Sequence, residues 1–161
     1  MKFKRIPDPP ADRAGVERAR EAVSRVPDPE ADCCRRIAAR LDLPRDEGRA
    51  WLALLRALGL VERTANGYRR TDADPSPAAL RRAFRERVYG AADALAALAD
   101  GPLAADAVAD ELAVPAWERR RTSDPEAAWR ERTRRLLDWL VLLGLAERTP
   151  DGYAARDDGT A

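Results

Sequence analysis

The chain has 161 residues, with 29 Lys and Arg against 28 Asp and Glu, for a formal net charge of +1. That length accommodates one or two small domains, and the near-balance of charge excludes a uniformly basic domain that would bind nucleic acid by charge alone. Histidine is absent and the only two cysteines are the adjacent Cys33 and Cys34, so zinc-ligand spacing is missing and neither a metal nor a cofactor is expected.

Residues 1–10 hold Pro7, Pro9 and Pro10 and read as an extended, flexible arm. A helix is expected over residues 12–25, with Asp12 as N-cap and Val16, Ala19 and Val23 on one face. A second helix is expected over residues 30–41, where Cys33, Ile37 and Leu41 recur every four residues. On such a face the two cysteines read as small hydrophobes rather than as a redox pair. Leu43-Pro44 is a break, and a third helix is expected over residues 45–58, with Trp51, Leu54, Leu55 and Leu58 facing inward and Gly59 as its stop. Residues 60–63 and 68–71 read as two strands of a hairpin joined by the turn Thr64-Ala65-Asn66-Gly67, in which Asn-Gly tolerates positive φ at both central positions. Three helices followed by a hairpin is the order of a winged helix-turn-helix, and the third helix is the recognition candidate.

A linker over residues 72–77 leads to one long connecting helix over residues 76–100, striped by Leu80, Phe84, Val88, Ala91, Leu95 and Leu98, with Gly90 weakening its middle by about 1 kcal/mol. After Gly101-Pro102 the pattern starts again. Residues 51–72, WLALLRALGLVERTANGYRRTD, align without gaps with residues 136–157, LLDWLVLLGLAERTPDGYAARD, and 11 of the 22 positions are identical. Val108, Leu112 and Val114-Pro115 likewise match Ile37, Leu41 and Leu43-Pro44, at an offset of 71 rather than 85. The same supersecondary unit is therefore built twice, with a 14-residue insertion near 116–133 in the second copy. Ser123 or Asp124 caps the helix that follows, over residues 125–143, with Pro125 in its first turn. The expected organisation is an arm at 1–10, a first unit at 11–75, a connecting helix at 76–100 and a second unit at 101–158, with the tail 157–161 frayed. The fold class is mainly α with small β-hairpin wings.

The block LLRALGLVERTANGYRRT resembles the end of the third helix and the wing of archaeal winged-helix regulators, and also the winged-helix dimerisation domain of small-molecule methyltransferases. Across nearly its whole length, including Cys33-Cys34, residues 84–90 (FRERVYG) and residues 117–119 (WER), the chain resembles haloarchaeal winged-helix proteins. The resemblance implies the tandem fold, for which DNA reading and protein docking are both established uses. The balanced charge departs from the acidic surface expected of high-salt adaptation.

Candidate DNA contacts follow from arginine, which supplies 27 of the 29 cations and whose planar fork suits phosphates and guanine edges, although a GC-rich genome also favours it. Arg45 and Arg49 lie near the start of the third helix, beside Asp46 and Glu47; the alternative there is a solvated face of i,i+4 pairs. Arg63, Arg69 and Arg70 flank the first wing turn. The insertion carries Arg119, Arg120 and Arg121 within a run that also holds Trp117 and Trp129, a combination that suits nucleic-acid backbones, protein hot spots or the closing of an enlarged core. The second wing, with only Arg148 and Arg156 and with Asp151, Asp157 and Asp158 close by, reads as a poor phosphate binder. Tyr68 and Tyr153, at matching wing positions, are expected to pack back on the preceding helix. No general-base histidine, phosphate-binding glycine loop or nucleophile motif is present, so no enzyme is expected. With neither a signal peptide nor a membrane span in the pattern, a cytoplasmic location is expected. The expected function is double-stranded DNA binding in transcriptional regulation or genome maintenance, with a homodimer matching a two-fold site. The alternative is a protein-interaction scaffold that binds no DNA.

Overall fold

A computed structural model describes residues 2–156 and divides the chain into two compact units, Met1–Tyr89 and Gly90–Ala161. The tail expected to fray lies outside the described residues. In the first unit, α1 (Ala14–Ala22), α2 (Glu30–Leu41) and α3 (Gly48–Ala57) lead into an antiparallel hairpin of β1 (Val61–Thr64) and β2 (Gly67–Arg70), followed by α4 (Pro77–Arg87). In the second, α5 (Ala91–Ala97), α6 (Ala105–Leu112), α7 (Ala116–Arg121) and α8 (Pro125–Leu142) lead into β3 (Ala146–Thr149) and β4 (Gly152–Ala155). The chain is mainly helical with two small hairpin wings, as the repeat implies.

Each core forms from helical stripes closed by the hairpin. In the first unit Val16, Ala19, Ile37, Trp51, Leu54, Leu55 and Phe84 are buried together with Leu60 and Val61 at the root of the wing. In the second, Val108, Trp129, Leu136, Leu137, Trp139 and Leu140 play the same part with Leu145 and Ala146. Burying a Leu- or Phe-sized side chain contributes about 1.5–3 kcal/mol, so these stripes dominate the stability of either unit.

Both wings are tied by a third short segment that the sequence reading missed. Asp28, between Pro27 and Pro29, donates its N–H to the Tyr68 carbonyl (2.9 Å) and accepts from the Tyr68 N–H (2.8 Å). Leu103 makes the same reciprocal pair with Tyr153, at 2.9 and 2.8 Å. The approach is close enough that a Cβ on Gly67 would sit 2.1 Å from the Asp28 carbonyl oxygen, and one on Gly152 would sit 2.3 Å from that of Leu103. Both glycines also take positive φ, 122° and 131°. The turn differs from the expected Asn66-Gly67 pair. Thr64 faces Gly67 in the register, so Ala65 and Asn66 are central, and neither has positive φ. The Thr64 hydroxyl closes the turn by accepting from the Asn66 N–H (3.1 Å) and donating to the Gly67 carbonyl (2.8 Å).

Four further expectations are corrected. The arm at 1–10 is bound into the first unit: the Phe3 N–H donates to the Arg87 carbonyl (2.7 Å), the Phe3 carbonyl accepts from the Tyr89 N–H (2.8 Å), and Ile6 is buried. The connecting helix over 76–100 is two helices. Val88 is extended, bridged to Phe3, and Gly90 takes φ 86°, so the chain leaves the helix where glycine makes departure inexpensive. The whole expected stripe from Leu80 to Leu98 is nevertheless buried, divided between the two units. Helix α1 starts at Ala14 and has no side-chain cap, so Asp12 does not serve as one. The third helix starts at Gly48, reached through a 3-10 turn at Arg45–Glu47 whose Glu47 N–H bonds back to the Pro44 carbonyl (3.0 Å).

The insertion has a clear structural meaning. Residues 48–57 of α3 correspond to 133–142 of α8, so the eight preceding residues of α8 are an N-terminal extension of about two turns. Asp124 caps it, accepting from the Ala127 N–H (3.3 Å), with Pro125 as its first residue. Helix α7 replaces the 3-10 turn of the first unit.

Gly48 is packed directly against the backbone of α2. A Cβ there would lie 2.2 Å from the Cys34 carbonyl oxygen, a backbone atom that cannot rotate away. Gly48→Ala must push α2 and α3 apart, and a loss of about 1–3 kcal/mol is expected. Urea unfolding followed by the fluorescence of Trp51 would show the midpoint falling, while Gly101→Ala, whose Cβ meets nothing within 4 Å, serves as a comparison for positive-φ strain without steric clash.

Candidate nucleic-acid interface

The outward side of α3 is set by its inward side. With Trp51, Leu52, Leu54, Leu55 and Ala57 buried, Arg49, Ala53 and Arg56 share the opposite face at i, i+4, i+7 spacing. Arg45 is exposed at the start of the 3-10 turn and Arg49 lies one helical turn on. Arg49 has a single carboxylate nearby, that of Glu30 at 3.9 Å. Arg45 has no carboxylate partner among the described residues. The in-helix pairing expected as the alternative does not form around these two arginines.

The wing arginines do not share one face. Arg63 lies opposite Tyr68 and Arg70 opposite Val61, whereas Arg69 pairs across the strands with Glu62 (2.5 Å) on the other side. Arg63 is exposed and without an ion pair among the described residues. Arg70 is half-buried, with its Nε shielded from solvent and without a hydrogen bond, so it is not an open cation at the wing tip.

Two consecutive copies of helix, recognition helix and tyrosine-pinned wing, each closed by the same one-residue bridge, are now in view. The model of the halobacterial double winged helix domain matches residues 1–160. The chain belongs to this family. No curated protein and no solved structure matches it. The winged helix is a fold of DNA-binding type, and no described helix is long and apolar enough to cross a membrane.

Within this double winged helix the second unit uses its matching positions differently. Arg148, the equivalent of Arg63, bonds Asp138 on α8 (2.7 Å) and lies over the Tyr153 ring, 5.4 Å from its centroid. The Tyr153 hydroxyl donates to the same Asp138 oxygen (2.6 Å). Asp138 stands where the first unit has Ala53. Arg69 and Arg70 are replaced by Ala154 and Ala155, and Glu147 faces Ala154 across the strands. The one arginine on the strands of this wing is thus held internally by Asp138.

The insertion is less open than its composition implies. Arg119 pairs with Glu126 (3.2 Å) and Arg121 with the buried Glu118, while Arg120 is exposed and without an ion pair among the described residues. Trp117 and Trp129 meet edge to face, with centroids 5.9 Å apart, and the buried Arg132 guanidinium lies 5.4 and 5.5 Å from the two ring centroids. The Trp129 indole N–H also donates to the Ala109 carbonyl (3.2 Å). The tryptophans close the enlarged core and are not free platforms for bases. On the extended part of α8, Arg130 and the nearby Arg134 repeat the positions of Arg45 and Arg49, and both are exposed.

Two side chains absent from the expected contact set belong to the first unit's surface. Arg5 and Arg56 line one groove with Arg49, Glu30, Ala53 and Tyr68. Arg56 was visible in the helical spacing, but Arg5 sits on a segment read as a free arm, and only its pinning brings it here.

Cys33 and Tyr153 titrate far from their ordinary values. Burial pushes the Cys33 thiol up to about 11, with the negative charge of Asp28 adding to the effect. Native protein at pH 8 should therefore resist iodoacetamide at Cys33, and mass spectrometry should find that site alkylated only once denaturant opens the first unit. Burial, followed by the hydrogen bond to Asp138 and its charge, pushes Tyr153 up to about 12, against the opposing pull of Arg148. The folded state thus holds this proton more tightly than the unfolded chain, whose tyrosine titrates near 10. Its contribution to stability is complete below pH 10 and is lost as pH rises through 12. Absorbance at 295 nm should show one tyrosine ionising near pH 12, and in Asp138→Ala that step should move downward.

Proposed function

We propose that the chain binds double-stranded DNA through the first unit, in transcriptional regulation or genome maintenance. The observation that carries this reading is the open state of Arg45, Arg49 and Arg63 on one recognition helix and its wing, against the internally neutralised Arg148 of the other unit. Arg45 in the 3-10 turn and Arg49 at the start of α3 reach base edges or phosphates as that end enters a major groove. Arg63 and Arg69 hold the wing on the backbone, and Arg120 adds a phosphate contact from the second unit. The exposed pairs Arg69–Glu62 and Arg119–Glu126 are no obstacle for the arginines. Exposed ion pairs are worth only about 0–1 kcal/mol, and a phosphate can replace the carboxylate.

A second reading is favoured by the second wing itself. With two arginines replaced by alanine and a third held by Asp138, it suits a protein partner better than a phosphate backbone.

Fluorescence anisotropy with mixed-sequence duplex across a salt series tests the proposal. Non-specific binding with a Kd of about 10⁻⁴–10⁻⁶ M is expected, with log K falling linearly as log[salt] rises. Arg45→Ala, Arg49→Ala and Arg120→Ala should each reduce the slope by about 1, and Arg148→Ala should leave it unchanged. Absence of binding at low salt would overturn the DNA reading in favour of protein docking.

A further inference from the structure

The two units carry the same tyrosine at the same place and satisfy it in opposite ways. In the second, Tyr153 donates to Asp138 while Arg148 covers the ring and bonds the same carboxylate. In the first, Tyr68 is also covered by a guanidinium, that of Arg56, 5.5 Å from the ring centroid. The position of Asp138 is held by Ala53, and the Tyr68 hydroxyl has no hydrogen-bond partner among the described residues. Arg56 also lies over the Phe3 ring, 5.4 Å from its centroid, and has no carboxylate partner among the described residues either.

Tyr68 and Arg56 open into a groove of about 230 Å³ with Arg5 and Arg49, whose one acidic lining residue is Glu30. Three guanidiniums against one carboxylate leave an excess of two positive charges around a space that suits a small molecule. Arg56, in contact with two rings, is pre-organised and incurs little ordering cost on binding.

We infer that this groove binds a small organic carboxylate, placed where the second unit supplies its own Asp138. The ligand's carboxylate accepts from the Tyr68 hydroxyl and from the Arg56 guanidinium, and Arg5 and Arg49 neutralise a second acidic group on the same molecule. The inference is independent of DNA binding, since it rests on the contrast between Ala53 and Asp138.

Sodium succinate is the probe, titrated into the ¹⁵N-labelled full chain at ionic strength held constant with sodium chloride. Saturable shifts are expected at the Arg49 and Arg56 side-chain N–H groups and at Tyr68. Ala53→Asp, which gives the first unit the carboxylate of the second, should abolish them, and Tyr68→Phe should weaken binding several-fold. If Ala53→Asp fails to fold, Arg56→Gln makes the same test on the half-exposed face of α3. Shifts that rise linearly and match those in chloride would overturn the inference, as would saturable shifts that persist in the folded Ala53→Asp or Arg56→Gln variant. Tighter binding of inorganic phosphate than of succinate would overturn the carboxylate assignment and give the groove to a phosphate group.

Discussion

The recognition surface of either unit depends on one backbone contact, the reciprocal pair of hydrogen bonds between the wing tyrosine and the segment that precedes the second helix of the motif. Asp28 holds Tyr68, and Leu103 holds Tyr153. A two-stranded hairpin of four-residue strands is marginal in water, so this third partner fixes the wing against the recognition helix. The glycine before each tyrosine is required by both geometry and space, because the partner carbonyl lies where a Cβ would be. Once the tyrosine is fixed, its ring and hydroxyl become permanent features of the helix face, and the residues around them decide what that face can accept.

The two units diverge at that point without changing the scaffold. An alanine at position 53 and an aspartate at position 138 are a small difference in backbone terms. Electrostatically they are opposites. The aspartate takes up Arg148 and Tyr153 and leaves a face with little pull on anions, whereas the alanine leaves Arg49, Arg56, Arg63 and Tyr68 available. In a chain of formal net charge +1 the first unit thus keeps Arg49 and Arg56 open beside Tyr68, and electrostatic steering depends on such local distribution more than on the total.

The insertion illustrates how charge in a sequence can be absorbed by packing. Lengthening the second recognition helix by two turns creates volume that Trp117 and Trp129 fill, and the two rings receive the buried Arg132 guanidinium. Within an arginine-rich segment that reads as a nucleic-acid patch, Arg132 and the two tryptophans thus belong to the core, while Arg119, Arg120, Arg121, Arg130 and Arg134 stay exposed.

The repeat, the two recognition helices, both wings and the cap at Asp124 were legible in the sequence, because helical and strand periodicity and turn residues act over a few positions. The apolar stripe from Leu80 to Leu98 was read correctly as buried, yet not as broken. The break at residues 88–90 follows from a bridge to Phe3, more than eighty residues away in the chain, and no local pattern announces it. The same bridge turned a supposed free arm into the support of Arg5. Local sequence determined which elements form and which side chains point inward. Tertiary structure alone decided which arginines remain open, since an ion pair such as Arg148 with Asp138 or a cage such as Trp117 and Trp129 around Arg132 is a matter of distance across elements, and Coulomb and cation–π forces depend on that distance and not on order in the chain.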